Sequence, residues 1–358
     1  YENTASDRGS RVDGFNPEYG APSLPIVDDL RRMMPEDRLW PIDKATWDYL
    51  DGGGFHLMTG LFTDMVNAYG AATDIADYTR KGQLVAAMNA KSIWEVWNYN
   101  RLDSGDRFCS GLLFWYHNCP NVQVCARMWD WYLEPTAALY HTARALEPLH
   151  IQFDYLKNTV SVTNDLPQAF TGLSATARVY DLSSRKRWEK TVPAQVGPES
   201  TACDILTVLF PEGLSPVHFI SLELKDAAGR MVSENFYWRS DDPYQGPGTV
   251  TGPTTGGFET LSGMPGAVLK CTTETQPDGS VRIIIKNTSS RIAFFNQLLV
   301  LDGDGLPLHQ ILYSDNFFTL LPGRSKTVLL KAQEGDTLLG KTLRFGGWNT
   351  PERTIKLR

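Results

Sequence analysis

Gly111-Leu112-Leu113-Phe114-Trp115-Tyr116 is a short, unbroken apolar run. A run of this length without alternation reads as a strand buried on both faces, as in a parallel sheet. The segments around it read as helices. Leu24-Pro25 leads into a helix over Ile26 to Met34, which Pro35 stops. Thr73-Asp74 is placed to cap a long helix. In that helix Ile75, Tyr78, Val85, Ala86, Ile93 and Val96 recur with a period near 3.6, which predicts one buried face. Gly82 interrupts it at a modest cost in helix propensity. A further helix covers about Pro135 to Leu146, and Pro148 ends it.

After Pro148 the period becomes two. Strands are predicted at Ile151 to Tyr155, Thr159 to Thr163, Leu173 to Tyr180, Ala202 to Phe210 and Phe219 to Leu224. Strands at this spacing suggest an immunoglobulin-like sandwich over residues 148–240. Residues 241–257 are rich in Gly, Pro and Thr and read as a linker. A second sandwich is predicted over 258–358, with strands at Ala267 to Thr275, Val281 to Lys286, Ala293 to Leu301 and Lys326 to Lys331. Pro277-Asp278-Gly279 marks a hairpin between the first two. The two sandwiches are expected to be separate units that support the first region and supply no catalytic group. Residues 1–147 are too few for a (β/α)8 TIM barrel, which takes roughly 200 residues or more. Their helix-rich composition matches only the C-terminal part of one.

The chain has 358 residues and a formal net charge of −7, with no basic stripe of the kind that binds nucleic acid. No stretch approaches the roughly 18 apolar residues of a membrane span. No initiator Met or signal-peptide pattern stands at Tyr1, so a mature or excised chain is expected. The aromatic content of 11% suits stacking on sugar rings, and equally suits filled cores. Cys109, Cys119, Cys125, Cys203 and Cys271 form no CxxC pair, which argues against zinc. The closeness of the first three allows one local disulfide, and buried free thiols are the alternative.

Gly14-Phe15-Asn16-Pro17-Glu18-Tyr19-Gly20 is the segment on which chemistry turns. Phe15 and Asn16 are expected to end a barrel strand. Pro17 should then stop regular pairing, and Glu18 should project from the strand's C-terminal end, where barrel enzymes keep their catalytic groups. From position alone Glu18 could equally be a surface loop residue. This segment, with Pro22-Ser23-Leu24-Pro25 and Leu30-Arg31-Arg32-Met33-Met34, resembles the nucleophile segment of glycoside hydrolase family two, in the exo-β-glucosaminidase, β-mannosidase and endo-β-mannosidase group. Arg80-Lys81-Gly82-Gln83-Leu84 and Ser110-Gly111-Leu112-Leu113-Phe114-Trp115 with Asn118 extend the likeness. So do Glu147-Pro148-Leu149-His150-Ile151-Gln152, Asn235-Phe236-Tyr237-Trp238 and Gly347-Trp348-Asn349-Thr350, all in the family's order.

The resemblance implies that Glu18 is the nucleophile of a retaining β-glycosidase acting on β-glucosaminides or β-mannosides, without a cofactor or metal. It implies that Trp115 stacks on the sugar, that Asn118 bonds a hydroxyl, that Asn16 orients the nucleophile and that Tyr19 contacts its carboxylate. His117 and Asp130 are read as structural, and Asp103 and Asp106 as acids in loops near the mouth. The acid/base carboxylate would precede residue 1, so the carbohydrate substrate and the N-terminal half of the enzyme are the expected partners. An extracytoplasmic setting, secreted or periplasmic, is expected. Relatives usually carry Asn-x-x-Trp where this chain has Asn118-Cys119-Pro120-Asn121, a missing aromatic on the leaving-group side. Asn287-Thr288-Ser289 is a glycosylation sequon of a kind common by chance. The reading from another class is a non-catalytic carbohydrate-binding or interaction module with a degenerate barrel remnant.

Overall fold

The computed structural model describes residues 14–20, 22–101, 109–241, 257–333 and 337–358. The first region opens with β1 (Asn16–Tyr19) and short helices α1 (Val27–Met33), α2 (Glu36–Leu39) and α3 (Lys44–Leu50). A π-helical turn (Met58–Phe62) runs into α4 (Thr63–Asn67). Then come the long α5 (Ile75–Asn100), β2 (Leu112–Phe114) and α6 (Ala137–Ala145). The predicted cap of α5 is present: the Asp77 backbone N–H donates to Asp74 Oδ1 at 2.8 Å. Its burial exceeds one face, because α5 packs on α6 and also reaches the next region. Asn98 donates to the Ala145 carbonyl, and Lys91 donates to the Phe236 carbonyl.

The apolar run does form a parallel pair, with Asn16 opposite Leu112 and Tyr19 opposite Phe114. Two expectations fail there. Pro17 does not end the strand: β1 continues through Glu18 to Tyr19, and the register shift between Asn16 and Tyr19 accommodates the missing N–H. Nor is the apolar run buried on both faces, since Leu113 is 54% and Trp115 43% exposed. The β1–β2 sheet has two strands among the described residues, so their outer faces have no neighbouring strand.

The second region holds β3 (Leu149–Asp154), β4 (Thr159–Asn164), β5 (Phe170–Asp181), β6 (Lys186–Val196), β7 (Ser200–Thr207), β8 (Val217–Lys225) and β9 (Met231–Ser240). They form two antiparallel sheets, β3-β4-β7 and β6-β5-β8-β9. Between them lies an apolar core that includes Ile151, Phe153, Val179, Ile220 and Tyr237. The third region opens with a 3₁₀ turn (Glu259–Gly263). It continues as β10 (Leu269–Thr275), β11 (Val281–Asn287), β12 (Ala293–Leu301), β13 (Leu312–Tyr313), β14 (Phe318–Leu320), β15 (Ser325–Lys331), β16 (Thr342–Gly346) and β17 (Arg353–Lys356). Its sheets are β10-β11-β15-β13 and β14-β12-β16-β17. The β10–β11 hairpin turns where Pro277-Asp278-Gly279 predicted it, with Gly279 at φ 80° and Asp278 Oδ1 accepting from the Ser280 N–H at 3.0 Å. The linker reading over 241–257 falls almost wholly outside the described residues.

The third region does not keep its core to itself. One continuous apolar cluster joins Leu24, Trp47, Phe62 and Tyr78 of the first region to Phe219 and Trp238 of the second and to Phe258, Phe294, Phe317 and Trp348 of the third. None of the five cysteines is in a disulfide: Cys109, Cys119 and Cys125 are buried, Cys203 is exposed and Cys271 lies between. The sequon is spoken for, because the buried Asn287 amide donates to the Arg291 and Leu320 carbonyls. Among the described residues no helix is long and apolar enough to cross a membrane.

Candidate functional site

β1 and β2 run parallel, so their C-terminal ends lie side by side. The Asn16 N–H donates to the Gly111 carbonyl at 3.0 Å, and the Trp115 N–H to the Tyr19 carbonyl at 2.6 Å. Trp115 is thereby fixed beside the residue that follows Glu18. Glu18 is exposed on β1. Gly20 permits this closeness, since a Cβ there would stand 2.6 Å from the Trp115 carbonyl oxygen. The Arg127 guanidinium lies behind Gly20 and over the Tyr116 ring at 4.9 Å. Burial raises the pKa of the Tyr116 hydroxyl, which donates to Gln123 Oε1 at 2.9 Å.

The other expected residues divide. Asn16 does address Glu18, but through its backbone: Asn16 Oδ1 accepts from the Glu18 N–H at 3.1 Å. It shapes the strand at the bulge rather than donating to the carboxylate. The Tyr19 hydroxyl reaches the Asn89 carbonyl at 3.5 Å and its ring packs on Phe114 at 6.1 Å, so the side chain is anchored toward α5. Asn118 and His117 are exposed past β2, and the His117 ring stacks on Trp129 at 5.9 Å. Asp130 is fully buried, and its Oδ1 accepts from the Tyr132 and Glu134 backbone N–H groups at 2.8 and 3.0 Å, as a structural residue should. Asp103 and Asp106 lie outside the described residues.

One part of the site had no reading in the sequence. Asp51-Gly52-Gly53-Gly54-Phe55-His56 forms a loop whose three glycines all take positive φ, at 65°, 84° and 79°. The buried Asp51 carboxylate ties it down. Oδ1 pairs with His56 Nδ1 at 2.7 Å, and Oδ2 accepts from the His56 and Met58 backbone N–H groups at 3.1 and 3.2 Å. Phe55 then stands edge-on to Trp115, with ring centroids 6.3 Å apart. The glycine triplet was the available signal, since it announces a tight loop. Nothing in the sequence says which strand that loop faces. Asp51, His56 and Cys125 bring three possible ligand atoms within 4.8 Å of one another. The three hydrogen bonds to Asp51 account for its burial without an ion. Burial pushes the Cys125 thiol up to about 12.

Residues 157–241 match the model of the mannosidase Ig/CBM-like domain, and residues 249–350 that of the exo-β-D-glucosaminidase Ig-fold domain. The β-rich regions are therefore immunoglobulin-like domains of the kind these glycosidases carry. The chain is 29% identical over 374 residues to an exo-β-D-glucosaminidase of Amycolatopsis orientalis, covering 99% of this chain and 36% of the relative. It is 30% identical over 366 residues to one from Streptomyces avermitilis, covering 96% of this chain and 40% of the relative. The crystal structure of an exo-chitosanase of Amycolatopsis orientalis superposes with a TM-score of 0.83 at 26% identity, over 99% of this chain and 45% of that one. The chain belongs with the family-two glycoside hydrolases of the exo-β-glucosaminidase and β-mannosidase group, as the motifs around Glu18 and Trp115 implied. It spans about two fifths of the length of the curated relatives it matches.

Proposed function

We propose that this chain carries the nucleophile half of a retaining β-glycosidase that hydrolyses β-glucosaminides or β-mannosides. In this reading β1, β2 and the helices around them are the C-terminal part of a (β/α)8 barrel. The first half of the barrel, outside this chain, completes the site and brings the acid/base carboxylate. The observation that carries the reading is the placing of an exposed glutamate, Glu18, on a strand whose parallel neighbour leads straight into Trp115.

The chemistry follows from two carboxyl groups about 5–5.5 Å apart. A Glu18 carboxylate oxygen bonds to the anomeric carbon while the bond from that carbon to the leaving oxygen breaks. The partner acid gives its proton to the leaving oxygen. Water then attacks the same carbon, gives its proton to the partner carboxylate, and Glu18 departs. Two inversions leave the configuration retained. Trp115 supplies a face for the sugar ring, and Asn118 a group for a hydroxyl. An extracytoplasmic setting is proposed with this activity.

Replacing Glu18 by Gln keeps the shape and removes the charge. In the assembly of this chain with the first barrel half, turnover should fall by several orders of magnitude while sugar binding survives, because the covalent step has no substitute. Glu18→Gly with added azide should yield a glycosyl azide of inverted configuration. A fluorosugar should label Glu18, as read by mass spectrometry of the digested protein. Near-normal turnover of Glu18→Gln, or a label on another carboxylate, would end the assignment.

A further inference from the structure

The loop over residues 51–58 costs the protein more design than a surface connection needs. Three consecutive glycines hold positive φ. The Gly53 and Gly54 N–H groups both donate to the Asp48 carbonyl at 2.8 Å, and the Phe55 N–H donates to the Asp51 carbonyl at 3.0 Å. Asp51, fully buried, gathers three further donors from His56 and Met58. The Leu50 carbonyl accepts from the Val124 N–H at 3.2 Å, which joins the loop's entry to the segment beyond β2. The product of this fixing is a phenylalanine held 66% exposed. An apolar ring that filled a core would sit inside, and an idle surface position would not need a buried carboxylate beneath it.

The ring's place gives it a use. Phe55 meets Trp115 at an interplanar angle of 71° with centroids 6.3 Å apart, and meets the His56 ring at 89° and 5.0 Å. The Phe55 and Trp115 rings thus form a corner, one side made by the end of β2 and the other by the glycine loop. A pyranose has an apolar C–H face and an edge of C–H groups, and a corner of two aromatic rings can take both at once. The rigid loop means that little order is lost when it does.

We infer that Phe55 is a specificity-determining residue of the sugar site. It is a second aromatic wall, standing at right angles to Trp115, that binds the C–H edge of a β-linked hexopyranose unit. This rests on the glycosidase reading of Glu18 and Trp115. It assigns an aromatic to the site from a different loop than Asn118-Cys119-Pro120-Asn121, where the sequence has none. Asp51 is the positioning residue, acting through His56 and the loop backbone.

The test is steady-state kinetics of the assembled enzyme on 4-nitrophenyl β-D-glucosaminide and 4-nitrophenyl β-D-mannoside, with thermal melts of each variant. Phe55→Ala should raise KM roughly three- to tenfold on the substrate that is turned over, the size of a lost aromatic contact, with kcat within about twofold. Phe55→Tyr keeps the ring and should restore KM. Unchanged KM in Phe55→Ala would overturn the inference. So would a lowered melting temperature with unchanged KM, which would mean that protein rather than sugar covers the ring. Glu18→Gln assayed alongside keeps the two ideas apart. If Glu18→Gln stays active, the nucleophile assignment fails. If Glu18→Gln is dead while Phe55→Ala behaves as the parent, only the role of Phe55 fails.

Discussion

At the scale of single residues, the most demanding arrangement lies away from Glu18. Asp29, Asp130 and Glu134 are all buried together. Around them stand Asp28 and Arg32 on α1, Tyr132 on the connection before α6, His309 between β12 and β13, and Arg344 on β16. His309 Nε2 lies 3.3 Å from Asp29 Oδ1, and Nδ1 lies 3.6 Å from Glu134 Oε2. Burial, and then the neighbouring Asp130, pushes the Asp29 carboxyl up to about 9. Burial raises Asp130 less, to about 6, because two backbone N–H groups favour its ionised form. Asp29 therefore keeps its proton in the folded state at neutral pH, where the unfolded chain has lost it. The folded state then binds more protons, and stability must fall as pH rises toward 9. Glu134 is also raised well above the usual carboxylate range by burial and by Asp29, and Lys91, lowered to about 8, begins to titrate at the top of the window, so the difference between parent and Asp29→Asn over pH 6.5 to 8 reads Asp29 rather than either slope alone. His309 is lowered to about 4 and neutral above that. One proton across that window is worth at most about 2 kcal/mol. Asn at position 29 cannot titrate. Urea melts across the window should show the parent losing stability and Asp29→Asn losing roughly that much less. Parallel slopes would refute the proton on Asp29. None of this was legible in the sequence, because Asp29, the Asp130 and Glu134 pair, and His309 come from three distant parts of the chain and become a cluster only through folding. The parallel pairing beside Glu18 and Trp115 was legible because the segments around both form local motifs.

At the scale of elements, the sequence spoke through periodicity and fell silent where periodicity lapsed. β6 was missed for this reason. Lys186-Arg187-Trp188-Glu189-Lys190 opens a strand whose residues are mostly exposed, at the edge of its sheet. Edge strands carry charge and a proline such as Pro193 to discourage further pairing, and that erases the alternation a reader looks for. Gly82 shows the converse, a residue seen and misjudged. Its propensity cost in α5 is real, but the position has a reason. A Cβ there would stand 2.5 Å from Leu24 Cδ1 and 3.3 Å from Phe62 Cε1. Leu24 has no room to yield, being fully buried with its carbonyl held by Gln83 Nε2 at 2.6 Å. Alanine would gain about 1 kcal/mol of helix propensity. Overpacking costs about 1–3 kcal/mol and should win. Gly82→Ala is expected to lower stability, by up to about 2 kcal/mol, in denaturant melts. A stabilised variant would mean that Leu24 and Phe62 move freely after all.

At the scale of the whole molecule, the question is whether the regions the sequence divides are also separable. The first two are pinned by a buried polar network. Glu95 on α5 accepts from the Tyr237 hydroxyl at 2.8 Å and the Asn235 amide at 2.8 Å, and lies 3.1 Å from His150 Nε2. The third region is joined through aromatic packing instead. Trp238 stands 5.4 Å from Phe294 and 6.0 Å from Phe295, Tyr140 lies 6.1 Å from Phe317, and Tyr69 stacks on Phe258 at 4.7 Å. Asp28 pairs with Arg344 and Arg144 with Asp315 across the same boundary. A period-two pattern announces strands but cannot say that the outer residues of one sandwich finish another region's core, so the expectation of separate sandwiches left this joint out. Cutting the chain before residue 258 would bare Phe258, Phe294, Phe295, Phe317 and Trp348 together. Each large aromatic exposed gives up on the order of 2–3 kcal/mol of burial, and a patch of that size promotes association. Residues 258–358 produced alone should keep strand signal by circular dichroism, bind a hydrophobic dye, self-associate, and melt well below the intact chain. A monomeric fragment with no dye binding and the parent's melting temperature would show the sandwich to be self-sufficient. The aromatic joint would then serve only to set its orientation.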